Sequence, residues 1–245
     1  MNTSIFDDPG LFGRLWADTY DAGPDPDPEP AADFLAGIAA GGPALELAIG
    51  TGRVALPLSS RGVSVAGVEA SPEMVAKMRA KPGGADIDVA IGDMADVPVT
   101  GPYTVVYLVY NTLFNLVREQ RQRDCFRNVA RVLAPGGAFV IETFVPDPAD
   151  FDRDEQVRMR DVTEDSATIR VHRYDREAQT FVRQTIRFDS TGVHLHPFAM
   201  RYCWPGQIDE MAGAAGLRLA ERYADWDRRP FDETSTSHIS VYRLG

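Results

Sequence analysis

The sequence predicts an α/β domain: a parallel sheet with helices on both faces, interrupted late in the chain by an antiparallel β meander. Three observations carry this. Short apolar, β-branched runs alternate with helix-period segments from residue 31 to 144, giving five successive βα units. A glycine-bearing turn, Gly50-Thr-Gly52, closes the first run and feeds a helix, which is how open α/β sheets build ligand sites. After Pro146-Asp-Pro148 the apolar period switches to two, and four alternating stretches follow with polar turns between them.

Residues 1–22 hold Leu11, Leu15 and Trp16 at helical spacing, so a short amphipathic helix is expected. Residues 23–30, with a proline at every second position, read as a stiff acidic loop excluded from helix and central strand. A helix over 31–40, a strand over 43–49 and a helix over 52–61 come next. A second strand covers 64–68. Ser71 and Pro72 form an N-cap and first helical position for a helix reaching 80. A short strand spans 87–91. The run over 103–110 is apolar and β-branched and reads as a central buried strand. A helix over 118–133 turns Phe126, Val129 and Val132 inward and stops at Pro135-Gly-Gly137, and a fifth strand covers 138–144. The meander strands are 157–163, 167–174, 179–188 and 193–203. A helix over 205–215 and strands over 217–223 and 238–244 close the chain. The core therefore takes residues 1–150 and 204–245, and the insertion takes 151–203.

With 44% hydrophobic residues the chain can bury a core. Its formal net charge of −11 argues against a nucleic acid partner, since phosphate contacts need a basic face. No apolar run is long enough to span a bilayer and no signal peptide is evident, so a cytoplasmic protein is expected. Cys125 and Cys203 lie far apart and suggest packing residues without a metal site or disulfide.

The chemistry concentrates in Leu45-Glu-Leu-Ala-Ile-Gly50-Thr-Gly52. Glycines there let a backbone approach a ligand closely. Glu69, 23 positions after Glu46, ends the second strand, where a carboxylate can accept hydrogen bonds from two ribose hydroxyls. This acidic-then-glycine run resembles motif I of class I S-adenosylmethionine (SAM) methyltransferases, E/D-x-G-x-G-x-G. Gly92-Asp-Met94 after the third strand, the strand end Tyr110-Asn111, and Leu133-Ala-Pro-Gly-Gly137 before the fifth strand extend the resemblance over most of the chain. It is nearest to bacterial natural-product enzymes such as amino-sugar N-methyltransferases, whose N-terminal segments carry a Tyr-Asp pair like Tyr20-Asp21.

The resemblance implies a Rossmann-like, seven-stranded sheet with the last strand antiparallel and inserted, and a meander that covers the substrate as a lid. It implies SAM as cofactor and a methyl transfer to nitrogen or oxygen of a small-molecule acceptor in bacterial secondary metabolism, without a metal. Ala48, Gly50 and Gly52 would pass the methionine part, Glu69 would hold the ribose, and Ala70 and Met74 would pack on the adenine. Asp93 and Met94 would meet its ring edge, and Tyr110 and Asn111 would line the methionine end. Glu46 would order the loop or reach the methionine ammonium through water. Tyr20 would close over the cofactor. Ala48 departs from the motif glycine. An alanine there needs φ below zero, so the turn should differ slightly. The alternative is a nicotinamide-dependent or non-catalytic binding protein of the same layout, but that glycine pattern wants its third glycine where Ala55 stands.

For the chemistry, an amine acceptor needs only to be unprotonated, whereas a hydroxyl needs a general base. His194 and His196 alternate onto one face of a meander strand and are the base candidates, the competing reading being a solvent-facing edge strand. His172 and His238 read as solvent-facing and structural. Phe114, Tyr202, Trp204 and Trp226 could wall the acceptor, Asn115 could hydrogen-bond it, and Arg201 could hold an anionic group. The meander could also support a homodimer.

Overall fold

The structure, a computed structural model, describes residues 4–22, 26–148 and 154–245. Residues 23–25 of the acidic loop, and the expected boundary between core and insertion at 150/151, lie outside the described residues.

Five parallel strands form the centre of the molecule: β1 (Ala44–Leu47), β2 (Val65–Glu69), β3 (Asp88–Ile91), β4 (Tyr103–Leu108) and β5 (Leu133–Phe144). Two later strands, β10 (Leu217–Tyr223) and β11 (Ser237–Leu244), complete a seven-stranded sheet of order β10-β11-β5-β4-β1-β2-β3. β11 runs antiparallel between β5 and β10. This is the sheet expected from the resemblance. Both its faces are covered, so alternate residues feed two cores. Leu45, Leu47, Val106, Leu108, Phe139 and Ile141 pack on one side, beneath α5 (Glu119–Val132) and α6 (Pro205–Ala214). Ala44, Val105, Tyr107 and Val140 pack on the other, with α2 (Glu29–Ala39) and α3 (Ala55–Ser60). α5 shows why it is a helix: Gln122, Cys125, Phe126, Val129 and Val132 recur at three- and four-residue spacing and are its buried face. Cys125 and Cys203 are both buried free thiols. His238 is buried between the Thr143 hydroxyl at 2.9 Å and the Ser240 hydroxyl at 2.8 Å, a structural bridge between β5 and β11.

Three of the helix boundaries that differ from expectation have a clear physical cause. α2 starts inside the proline run, at Glu29, because a proline in the first helical turn lacks only an N–H that would have had no partner. α3 starts at Ala55 and not at Gly52, whose φ of +76° is incompatible with a right-handed helix. α5 ends at Val132, before Pro135-Gly-Gly137: Leu133 is already extended and pairs with Tyr103, and the ladder shifts there so that Val105 faces Ala138. The Pro-Gly-Gly segment is thus an irregularity at the start of β5, not the terminator of the helix.

The meander is a separate four-stranded antiparallel sheet, β6 (Glu155–Val162), β7 (Ser166–Asp175), β8 (Thr180–Asp189) and β9 (Gly192–Arg201), in sequential order. Its register separates two faces. The outer one exposes Val157, Met159, Val193 and Leu195 to solvent. The inner one turns Phe198 toward α1 (Leu11–Trp16), where Phe12 meets it at 6.0 Å.

Several expected acceptor contacts prove to hold this lid to the core. Arg201 is buried. It donates to Gln122 Oε1 at 2.6 Å, to Glu119 at 2.7 Å and to Cys203 Sγ at 3.0 Å, and so ties the end of β9 to α5. Tyr202 is a core residue whose backbone N–H donates to the Gln179 carbonyl at 2.9 Å. Trp204 is the N-cap of α6 and packs edge-on against Tyr202. Removing the guanidinium leaves the buried Gln122 carbonyl with only the weak Cys203 thiol donor at 3.1 Å. We therefore expect Arg201→Ala to lower the unfolding free energy by about 2 kcal/mol in urea titrations; an unchanged midpoint would show that the tether contributes nothing net.

Candidate active site

At the C-terminal edge of the parallel strands, two loops meet around one carboxylate. Glu69 ends β2. Its Oε2 accepts from the Gly50 N–H and its Oε1 from the Ser71 N–H, each at 2.9 Å. Burial pushes the carboxyl above its ordinary range, and the N–H donors oppose the shift. Ser71 then caps α4 (Pro72–Arg79) through its side chain, 3.2 Å from the Met74 N–H.

The turn that presents Gly50 is left-handed at Ala48 (φ +52°), Gly50 (+58°) and Gly52 (+76°). The expectation that Ala48 needs a negative φ is overturned: the alanine occupies the glycine conformation at a cost of about 1 kcal/mol. Neighbouring hydrogen bonds hold it there, Ile49 N–H to the Val68 carbonyl at 3.0 Å and Gly52 N–H to the Ile49 carbonyl at 3.0 Å. Gly52 lies away from the cavity. A Cβ there would meet Met78 Cγ at 2.7 Å, so its small size serves the packing of α4.

Glu46 is equally hidden. It is buried within β1 and accepts from the Tyr107 hydroxyl at 2.9 Å. Burial raises its carboxyl to about 8, against the opposing pull of Tyr107. It does not line the cavity and braces β1 against β4 behind it.

At the end of β4, Tyr110 and Asn111 form a second left-handed pair (φ +56° and +63°). Asparagine tolerates this conformation and tyrosine does not, so the pair must be held from outside. Glu142 of β5 does so: its Oε2 accepts the Tyr110 N–H at 2.8 Å and its Oε1 the Trp226 indole N–H at 3.1 Å. Asn111 turns inward, accepting the Phe144 N–H at 2.5 Å, and does not line the cavity. Trp226 supports Glu142 from behind and packs on Phe34, so it is not an acceptor wall. Glu142 went unrecognised in the sequence. The available signal was an acidic residue inside the apolar run of β5, the same signal that marked Glu46.

Between these loops and the lid lies a cavity of about 740 Å³, within the range of small-molecule sites. Of the expected cofactor residues, Tyr20, Ala48, Gly50, Glu69, Ala70, Met74, Asp93, Met94 and Tyr110 line it together. The apolar Ala70, Met74 and Met94 share this lining with the two carboxylates Glu69 and Asp93. Asp93 is not free: Arg121 donates to its Oδ2 at 2.8 Å and the Ala95 N–H to its Oδ1 at 2.8 Å.

The N-terminal segment closes over the glycine loop. Asp21 accepts from the Thr51 hydroxyl at 2.7 Å and pairs with Lys81 at 2.8 Å, and Lys81 also donates to the Thr51 carbonyl at 2.9 Å. The Arg53 guanidinium lies over the rings of Tyr20 and Tyr110, at 4.5 and 5.2 Å. Arg53 and Lys81 were not anticipated, because each acts on partners 30 or more positions away.

On the acceptor side, Asn115 lines the cavity and its buried Oδ1 has no hydrogen-bond partner. Phe114 does not line it; it is fully buried and packs edge-on against Phe144, which does. The base candidates fall outside. His194 sits in the exposed first part of β9 beside the β8–β9 turn, 2.9 Å from the Thr191 hydroxyl and 3.2 Å from Asp189. His196 packs at a tilt against Trp16 with ring centroids 5.0 Å apart. The two do share one strand face, but β9 overshoots the cavity and only its later residues, from Pro197 to Met200, reach it. His172 is half-buried on the lid's inner face and not solvent-facing, and Tyr174 Oη lies 3.2 Å from its Nδ1.

A family profile described as a methyltransferase domain matches residues 44–137. The chain resembles the CcbJ methyltransferase from Streptomyces caelestis, with 38% identity over 97% of this chain and 99% of that one, and a TM-score of 0.89. The cypemycin N-terminal methyltransferase from Streptomyces sp. is 31% identical over 109 residues, 44% of this chain; the match spans only 44% of that relative. The SAM-bound amino pentose methyltransferase CalS10 from Micromonospora echinaspora shares the fold, with 21% identity, coverage of 93% and 96%, and a TM-score of 0.68.

Glu46 provides a pH test of the site's foundation. A carboxyl at about 8 in the folded state and near 4.5 unfolded stabilises the fold fully below pH 4.5, and that stabilisation is lost as pH rises to 8. Glu46→Gln cannot lose a proton, so its melting temperature should fall less than the wild type's between pH 5 and 8; parallel curves would show that Glu46 does not hold a proton there.

Proposed function

The chain belongs to the SAM-dependent methyltransferase family, and from that premise we propose that it methylates the amine nitrogen of a small molecule enclosed between the glycine loop and the lid. The observation that carries the choice of nitrogen is the chemistry of the cavity wall. Among the described residues that line it there is no histidine, lysine or cysteine. Asp7, Asp8 and Asp93 are engaged by Arg118, Arg14 and Arg121. Glu69 is engaged by two N–H groups, and burial pushes the Tyr110 hydroxyl up to about 12. Such a wall lacks a base for a hydroxyl acceptor but suits an amine that arrives unprotonated.

The lining fits the cofactor. Glu69 would hold the ribose hydroxyls. Ala70, Met74 and Met94 would sandwich the base, with Asp93 at its amino edge. The backbone of Ala48 and Gly50, with Tyr20 and Tyr110, would enclose the methionine end. When bound, SAM supplies a sulfonium methyl carbon open to in-line displacement. The chain's own part is positioning and exclusion of water. Asn115 Oδ1 accepts a hydrogen from the acceptor nitrogen and turns its lone pair inward, and Phe144, Phe181 and Phe198 keep the site dry. The roles of the relatives, N-terminal methylation in one and amino pentose methylation in calicheamicin biosynthesis in another, support an acceptor of the natural-product class.

Calorimetric titration should give heat with SAM and none with NADH; the reverse pattern would return the nicotinamide alternative. Glu69→Ala should weaken SAM about 10- to 100-fold, as expected for lost hydrogen bonds to a charged group, and unchanged affinity would remove Glu69 from the ribose site. His194→Ala and His196→Ala should keep turnover, read as release of S-adenosylhomocysteine, within about twofold. A drop in kcat of about 100-fold in either variant is the size a lost general base produces, and would reinstate that role.

A further inference from the structure

The lid's inner face holds a feature that the cofactor cradle does not use. Cross-strand register puts His172 opposite Arg183 and Arg170 opposite Thr185, so these four residues form one block across β7 and β8. Each carries a buried polar atom with no hydrogen-bond partner: Arg170 Nε, His172 Nε2, Arg183 Nε and the Thr185 hydroxyl. His172 Nδ1 lies 3.2 Å from Tyr174 Oη, and burial with three nearby arginines lowers its pKa. With Tyr174 donating to Nδ1, Nε2 carries the ring hydrogen, and all four atoms of the block can donate. Unsatisfied buried donors are costly singly and rare in clusters, unless an acceptor belongs among them.

Arg183 brings this block to the cavity wall, with its guanidinium 4.4 Å over the Phe198 ring. The other two arginines of the wall, Arg118 and Arg121, pair with aspartates. Arg183 has no carboxylate partner among the described residues. Desolvation, with Arg170 and Arg160 nearby, pulls its guanidinium down to about 10. A positive, planar donor fork without a counter-charge is matched to a carboxylate, which it can bind through two parallel hydrogen bonds.

We propose that the acceptor carries a carboxylate bound by Arg183 and its neighbours on the lid, and that the enzyme therefore acts on an amino-acid-like amine. The assignment rests on the proposed methyl transfer: Asn115 receives the amine and Arg183 the carboxylate, so the two ends of one acceptor are read by the strand-4 loop and by the lid. Only a molecule with both groups spans them, which makes the lid a specificity element as well as a cover.

The test compares L-amino acids and N-alkyl amino acids with their carboxamides, by thermal shift and calorimetry on protein saturated with S-adenosylhomocysteine. At least one acid should bind in clear preference to its amide. Arg183→Gln should weaken that acid about 10- to 100-fold and leave S-adenosylhomocysteine affinity unchanged, which also shows that the variant is folded. Arg183→Lys, which keeps the charge without the fork, should recover part of the loss, and Thr185→Val should reproduce a smaller one. Amides binding as well as acids, no acid binding at all, acids binding equally to Arg183→Gln, or a preference for the phosphate ester of the matching amino alcohol would each overturn the carboxylate assignment. Absence of heat with S-adenosylhomocysteine would instead count against the methyltransferase reading. The acid–amide comparison can then still be made on the protein alone.

Discussion

The two backbone N–H bonds into Glu69 hold the rest of the site in place. One comes from Gly50 in the loop after β1 and the other from Ser71 at the start of α4, so a single carboxylate joins two loops from neighbouring strands. A carboxylate can sit at the end of a buried strand only if donors meet it there. Meeting it requires the loop after β1 to turn sharply, and the left-handed run at Ala48, Gly50 and Gly52 is that turn. Strain at Ala48 is therefore local to the site, where departures from ordinary backbone geometry tend to gather.

A parallel arrangement supports the other end of the cavity. Glu142 and Trp226 hold Tyr110 and Asn111 as Glu69 holds Gly50. Above both, the N-terminal segment and the lid meet through aromatic contacts, Phe12 on Tyr20 at 5.9 Å and on Phe198 at 6.0 Å. The N-terminal segment and the meander are thereby mechanically connected, and the tether at Arg201 anchors the meander to α5. Residues that looked like acceptor contacts in the sequence, Arg201, Tyr202, Trp204 and Trp226, are spent on this support.

Much of the site was legible because it is local in sequence. Glu69, Asp93, Tyr110 and the glycine loop each sit at the end of a strand, and a parallel α/β sheet brings all such ends to one edge. The misjudged residues share a different property: their roles depend on partners far along the chain. Glu142 reaches Tyr110 across 32 positions, Arg201 reaches Gln122 across 79, and His196 of β9 meets Trp16 of α1. Period-two alternation correctly put His194 and His196 on one strand face, but it carries no information on how far along that strand the cavity extends. The same limit hid Arg183, one arginine among several in a charged meander until cross-strand pairing set it beside His172 and the cavity.

By itself the sequence determined the order of elements, the parallel sheet, the meander and the strand-end carboxylates, because hydrophobic period, turn residues and buried acids are short-range signals. Tertiary structure decided which polar side chains face the cavity and which brace it, that Ala48 accepts a left-handed turn, and that four unpaired donors of the lid converge. Those outcomes depend on register and on the free energy of burying charges beside distant partners, which no local pattern of residues encodes.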